Sequence, residues 1–117
     1  MEQLRLPMLT VYDGPRLIDA EIVDACATYR EVVCVCWDLR TRRALTKRAL
    51  AEEVDGLYPS HLSDYLSKLA GKRELPAKHI NGFERACGNR AITQWLTRRA
   101  QLTILEQFIQ QPSRRAA

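Results

Sequence analysis

Three absences narrow the reading of this 117-residue chain before any motif is weighed. First, no apolar run approaches the roughly 20 residues of a membrane-spanning helix; the longest, Val32–Trp37, has six. The opening residues, MEQLRLPMLTVYDGPRL, lack the basic-then-apolar build of a secretory leader, so a cytoplasmic location with reduced cysteines is expected. Second, the four cysteines, Cys26, Cys34, Cys36 and Cys87, form no CxxC knuckle. On one helix Cys34 and Cys36 would point about 160° apart, so each is read as a small core residue and no metal is expected. Third, there is no Gly-rich phosphate loop and there are only two histidines, His61 and His79. Ser60, His61 and Asp64 stand on one predicted helix and cannot bring a nucleophile onto its base as a triad requires. No cofactor is expected, and the chain reads as a non-enzyme.

What is present is enough for a core. With 46% hydrophobic and 27% charged residues, the chain should fold as one compact domain without metals or disulfides. The net charge of +4 permits nucleic-acid binding without establishing it.

Residues 1–18, punctuated by Pro7, Gly14 and Pro15, read as an extended N-terminal arm that docks on the body or on a second subunit. From Asp19, a plausible N-cap, a 3–4 spacing through Ile22, Cys26, Tyr29, Val33, and Cys36 or Trp37 to Arg40 predicts one long helix over 20–43, despite the β-branched Val32–Val35. A second helix is predicted from a Thr46 cap to about Val54, ended by Asp55-Gly56. A third starts with Pro59 at its first position, buries Leu62, Leu66 and Leu69, and stops near Gly71. The fourth follows Pro76 and ends at Cys87-Gly88. The fifth is capped by Asn89 and extends an apolar stripe through Ile92, Trp95, Leu96, Leu102, Leu105, Phe108 and Ile109 to Gln110. Trp37, Phe83 and Trp95 are read as core, and the tail QPSRRAA as frayed. The expected organisation is an arm (1–18), a helical domain (19–98) and a C-terminal helix extension with its tail (99–117).

The middle of the chain carries the candidate chemistry. Five cations fall between 40 and 48 (Arg40, Arg42, Arg43, Lys47 and Arg48) with no acid among them, and Lys72, Arg73 and Lys78 form a second cluster. Either cluster alone would be ordinary solvated surface. Together they bracket the helix LYPSHLSDYLSKLAGKR, which offers Ser60, Asp64 and Ser67 on one face, with His61 and Lys68 flanking it. Small polar groups between two basic flanks suit a helix that enters a DNA groove lined by phosphates. Asp64 is the exception; pairing with Lys68 four residues on, or accepting from a cytosine amino group, would accommodate it.

The segment ALTKRALAEEVDGLYPSHLSDYLSKLAGKREL, residues 44–75, resembles the helix-turn-helix of the phage repressor and Cro superfamily, the xenobiotic-response-element type of regulator. Leu45-Thr46-Lys47 matches the family's opening, Leu50-Ala51 its packed alanine, Ser60-His61-Leu62-Ser63 with Leu66 its second helix, and Gly71-Lys72 its close. The turn departs from the pattern. The family's glycine falls at Asp55 here, Gly56 follows, and the spacing from Ala51 to Leu62 is one residue longer.

The resemblance implies an all-α, lambda-repressor-like five-helix domain with the helix-turn-helix at about 46–70 and a recognition helix at about 59–69. Arg43, Thr46, Lys47, Arg48, Lys72 and Arg73 would hold the DNA backbone; Pro59, Ser60, His61, Ser63, Asp64, Ser67 and Lys68 would lie at the groove. The implied function is a sequence-specific transcriptional regulator of phage or prophage type, binding double-stranded DNA as a homodimer through the C-terminal helix. Two alternatives remain, the first of which keeps the motif but changes its use. One is a protein-interaction module, such as an antitoxin or enzyme inhibitor, with the acidic stretch from Asp13 to Glu31 as a handle. The other is a nucleic-acid-processing accessory subunit with non-specific affinity.

Overall fold

A computed structural model of the chain describes residues 14–110. Within that span the protein is all-α. Six helices run in order: α1 Ala20–Asp24, α2 Tyr29–Asp38, α3 Lys47–Glu53, α4 Pro59–Tyr65, α5 Ile80–Cys87 and α6 Ala91–Gln110. A 3-10 turn at Ala77–His79 leads into α5. The one departure from helix and coil among the described residues is an isolated parallel bridge between Arg16 and Asn89.

The expected long helix over 20–43 is two helices. Thr28 stops it: its hydroxyl accepts from the Glu31 N–H (3.2 Å) while the Glu31 carboxylate accepts from the Ala27 N–H (2.7 Å), a reciprocal cap that starts α2 afresh. The exposed end of α1 is closed from a distance. Trp95 Nε1 and Arg99 Nη2 both donate to the Cys26 carbonyl at 2.9 Å. Asp19 occupies the N-cap position of α1 but makes no capping bond with its side chain. The far end of α2 also comes early, at Asp38, because the buried Asn89 amide donates to the carbonyls of Cys36 (3.0 Å) and Leu39 (3.4 Å).

The same Asn89 accepts from the Ala91 N–H at 3.1 Å, so one side chain closes α2 and opens α6. Glu84, fully buried, takes two further donors of that helix start, the Thr93 N–H and hydroxyl, both at 2.7 Å. These bonds satisfy amide groups that every helix N-terminus leaves orphaned. Gly88, at φ 82°, makes the left-handed turn between α5 and α6.

The core is continuous around α2. Val32, Val33 and Cys36 meet Leu50 of α3, Leu62 of α4, Phe83 and Cys87 of α5, and Ala91 and Ile92 of α6, all buried. Trp37 and Trp95 pack on its edge, half-buried. The four cysteines are reduced and buried. Cys36, hydrogen-bonded to Cys87 and buried, has its thiol pushed well above the ordinary value, so it stays protonated and unreactive.

Residues 14–18 dock on this body. Arg16 exchanges backbone hydrogen bonds with Gly88 and Arg90 at 3.0 Å each, and the Gln94 amide bonds both backbone groups of Ile18. The rest of the expected arm, and the tail expected to fray, lie outside the described residues. The distal half of α6 does not lie along the body. Leu102, Ile104, Leu105 and Ile109 are each more than half exposed. Among the described residues no helix is long and apolar enough to cross a membrane.

Candidate nucleic-acid interface

The α3–α4 pair is built by local signals. The Thr46 hydroxyl accepts from the Ala49 N–H at 3.1 Å and starts α3 where expected. Val54 leaves the helix in an extended conformation, and Gly56 then takes φ 91°, a region that costs a side chain about 1 kcal/mol or more. A Cβ there would also stand 2.9 Å from the His79 ring. Leu57 turns inward, buried, and Tyr58 resumes an extended conformation ahead of Pro59 at the start of α4. The connection from Val54 to Tyr58 therefore carries its left-handed residue at Gly56, one place later than in the resembling family.

The helix expected over 59–69, to which the resemblance gave the recognition role, spans only Pro59–Tyr65. Its end is imposed by Arg30 of α2, a residue that carries no role in the motif. The buried guanidinium donates to the carbonyls of Asp64 (2.7 Å), Ser67 (2.9 Å), Lys72 and Arg73 (3.0 Å). It draws the chain after Leu66 back over α2 and places a cation at the negative end of α4. Ser67 and Lys68 consequently lie beyond the helix, and Leu69, expected to be buried, is 67% exposed.

The side chains expected at the groove divide into used and unused. His61 is half-buried between Tyr58 and Tyr65, with ring centroids 5.3 and 6.3 Å away. The Ser63 hydroxyl turns back to the Pro59 carbonyl at 3.4 Å, and the Ser67 hydroxyl accepts from the Leu69 N–H at 3.1 Å. Asp64 does not pair with Lys68, which the end of the helix carries away. It faces Arg73 instead, at 3.6 Å. Ser60 is exposed and makes no side-chain bond among the described residues.

The cations divide in the same way. Arg40 stacks on Trp37, 4.1 Å from the ring centre, and donates to the carbonyls of Trp37 and Leu45. Arg42 forms a two-point pair with Glu53 at 2.8 and 2.5 Å, and the hydrogen bond from that guanidinium holds the Glu53 carboxyl below its usual range. Arg43, Lys47 and Arg48 are exposed, and their side chains make no hydrogen bond or ion pair among the described residues. The same holds for Lys68, Lys72 and Lys78. Six unpaired cations thus flank the start of α3 and the stretch after α4, while half-buried Arg40 and exposed Arg42 are engaged by partners within the chain. Sequence reasoning counted both kinds alike, because nothing local marks Arg40 and Arg42 as structural.

Compared with protein-family models, with characterised proteins and with solved structures, the chain finds no match. The functional reading therefore rests on the residues themselves.

Proposed function

We propose that the chain is a sequence-specific, DNA-binding transcriptional regulator of phage or prophage type. In this reading it has a lambda-repressor-like arrangement, acts as a homodimer, and uses α4 as the recognition helix. The observation that carries the reading is the unequal use of charge. The fold satisfies Arg30, Arg40 and Arg42 internally, yet leaves Arg43, Lys47, Arg48, Lys68, Lys72 and Lys78 unpaired around a two-helix unit. Unpaired cations on both sides of a short helix are what a groove between two rows of phosphates requires. Ser60 is the side chain with the freest access to a base edge, followed by the rim of Asp64 and Arg73.

Selection of bound sequences from a random DNA pool tests the proposal. A two-fold symmetric winner with half-sites about one helical turn apart is the expected result. Lys47→Ala should weaken binding to every sequence by roughly 3- to 10-fold and flatten the salt dependence by about one unit of slope. Equal affinity of the wild type for selected and random DNA would sink the specific-regulator reading.

One observation favours a second use of the same unit, as a protein-interaction module. Tyr58, 58% exposed, presents its ring edge-on to His61 at the start of α4, and exposed aromatics are enriched at protein interfaces. No retained DNA fragment at low salt, together with normal folding, would select that reading.

A further inference from the structure

Two apolar features of this chain lack an occupant. The first is an open-sided cavity of about 850 Å³ behind the recognition unit, between α1, α2 and the stretch after α4. Its volume lies in the range of clefts that accept a ligand or a partner's side chains. Ile22, Ala25 and Val35 contribute apolar wall, and Glu21, Glu31, Asp38 and Glu74 surround it with carboxylates. Ile22 is 40% exposed there.

The second is the far half of α6. Ala91, Trp95, Arg98, Leu102, Leu105 and Ile109 recur at alternating spacings of four and three, the seam of a helix that packs along its whole length. Ala91 is buried and Trp95 packs on the core, so the near half of the seam is satisfied within the chain. Leu102, Leu105 and Ile109, on the same seam, remain 56–70% exposed.

We infer that the cavity receives the distal half of α6 from a second copy of this chain, so that two molecules exchange helices about a two-fold axis. Two observations favour a second copy over another occupant. The helix leaves the body at the edge of the cavity: Arg99 of α6 donates to the carbonyl of Cys26, itself a lining residue. A short outward reach therefore brings each helix toward its neighbour's hollow. The area also suffices. Large apolar side chains more than half exposed offer on the order of 100 Å² each. Two reciprocal junctions, counting both faces, therefore reach the roughly 1,200–2,000 Å² of a specific interface.

The exchange would bear on α4 directly, because Arg30 and Lys68 line the same cavity. A seated helix would brace the guanidinium that holds the end of α4. The inference does not depend on DNA binding; it concerns assembly alone.

Sedimentation equilibrium of the full chain tests it. The wild type should be a dimer, and Leu105→Glu on the helix should raise the dimer dissociation constant at least about 30-fold. Ile22→Glu in the cavity wall should do the same. An equimolar mixture of the two variants should regain dimer, because one of its two junctions combines an intact helix with an intact cavity. Melting curves verify folding, and the exposed Ala25→Glu serves if Ile22→Glu fails to fold. A dimer that survives both cavity substitutions but not Leu105→Glu would overturn the inference in favour of direct helix-to-helix pairing. A wild type that stays monomeric at high concentration would also overturn it.

Discussion

Arg30 is the residue whose removal should most disturb the α3–α4 unit without touching it in sequence. Arg30→Met keeps the apolar stem and deletes the guanidinium that bonds the carbonyls of Asp64, Ser67, Lys72 and Arg73. Charge-assisted bonds are each worth about 1.5–3 kcal/mol, so four would suggest more than 6. Two corrections reduce the figure. Lys72 and Arg73 are exposed, so their carbonyls would recover water, and burying the cation already carries a desolvation cost. A net loss of about 3 kcal/mol is the expected outcome. At about 4 °C per kcal/mol for a domain of this size, Tm should fall by roughly 12 °C. Amide exchange over 66–73 should accelerate about 100-fold relative to α5, because the loss is local. Arg30→Lys, a point charge without the fork, should fall between the two. If Arg30→Met melts within about 3 °C of the wild type, or if exchange rises equally everywhere, the clasp is not what ends α4.

Two further outcomes test the turn and the central packing. Gly56→Ala, at φ 91° and with the His79 ring 2.9 Å from the new methyl, should cost about 1–2 kcal/mol in urea unfolding. Adding His79→Ala should relieve only the steric share; an unchanged midpoint for the single variant would contradict the geometry. Tyr29 governs part of the alkaline limb. Burial foremost, with the Glu74 and Glu84 carboxylates, pushes its phenol up to about 12, whereas the unfolded phenol titrates near 10. The folded state keeps the proton longer, so stability is intact below pH 10 and declines as pH rises from about 10 to about 12. Tyr29→Phe should lose about 1 kcal/mol at neutral pH with its 2.7 Å bond to the Leu75 carbonyl, and should show a shallower alkaline decline. Parallel alkaline limbs for the two proteins would remove Tyr29 from the account.

Signals confined to a few neighbouring residues were legible in the sequence. Thr46 caps α3, Pro59 opens α4, Gly56 and Gly88 take positive φ, and Asn89 caps α6. The break between α1 and α2 was missed: the Thr28-x-x-Glu31 box that makes it stands within a continuous apolar spacing that reads as one helix. What the sequence does not display are ends set by remote partners. α4 stops because of a guanidinium 34 residues earlier, and α2 stops because of an amide 53 residues later. Such contacts follow from the packed fold and leave no local trace. The same blindness explains the charge count, since Arg40 and Lys47 differ only in what the fold places beside them.

That difference also sharpens the functional argument. A short α4 loses Ser67 and Lys68 as groove-facing helical residues, and its remaining polar groups are partly turned inward, as Ser63 is to the Pro59 carbonyl. Direct reading of bases would then fall to few side chains, chiefly Ser60 and the Asp64–Arg73 rim. A regulator with so few base contacts must draw discrimination from elsewhere, from DNA shape and from the fixed spacing of two half-sites. In the proposed reading, six unpaired cations would give affinity for any duplex, whereas half-site spacing would exist only in a dimer. If the chain is such a regulator, its specificity should therefore depend on assembly more steeply than its affinity does. On that reasoning, Leu105→Glu should erase the preference for a selected site while leaving much of the non-specific binding of a monomer, and equal losses of both would show that α4 reads its site alone.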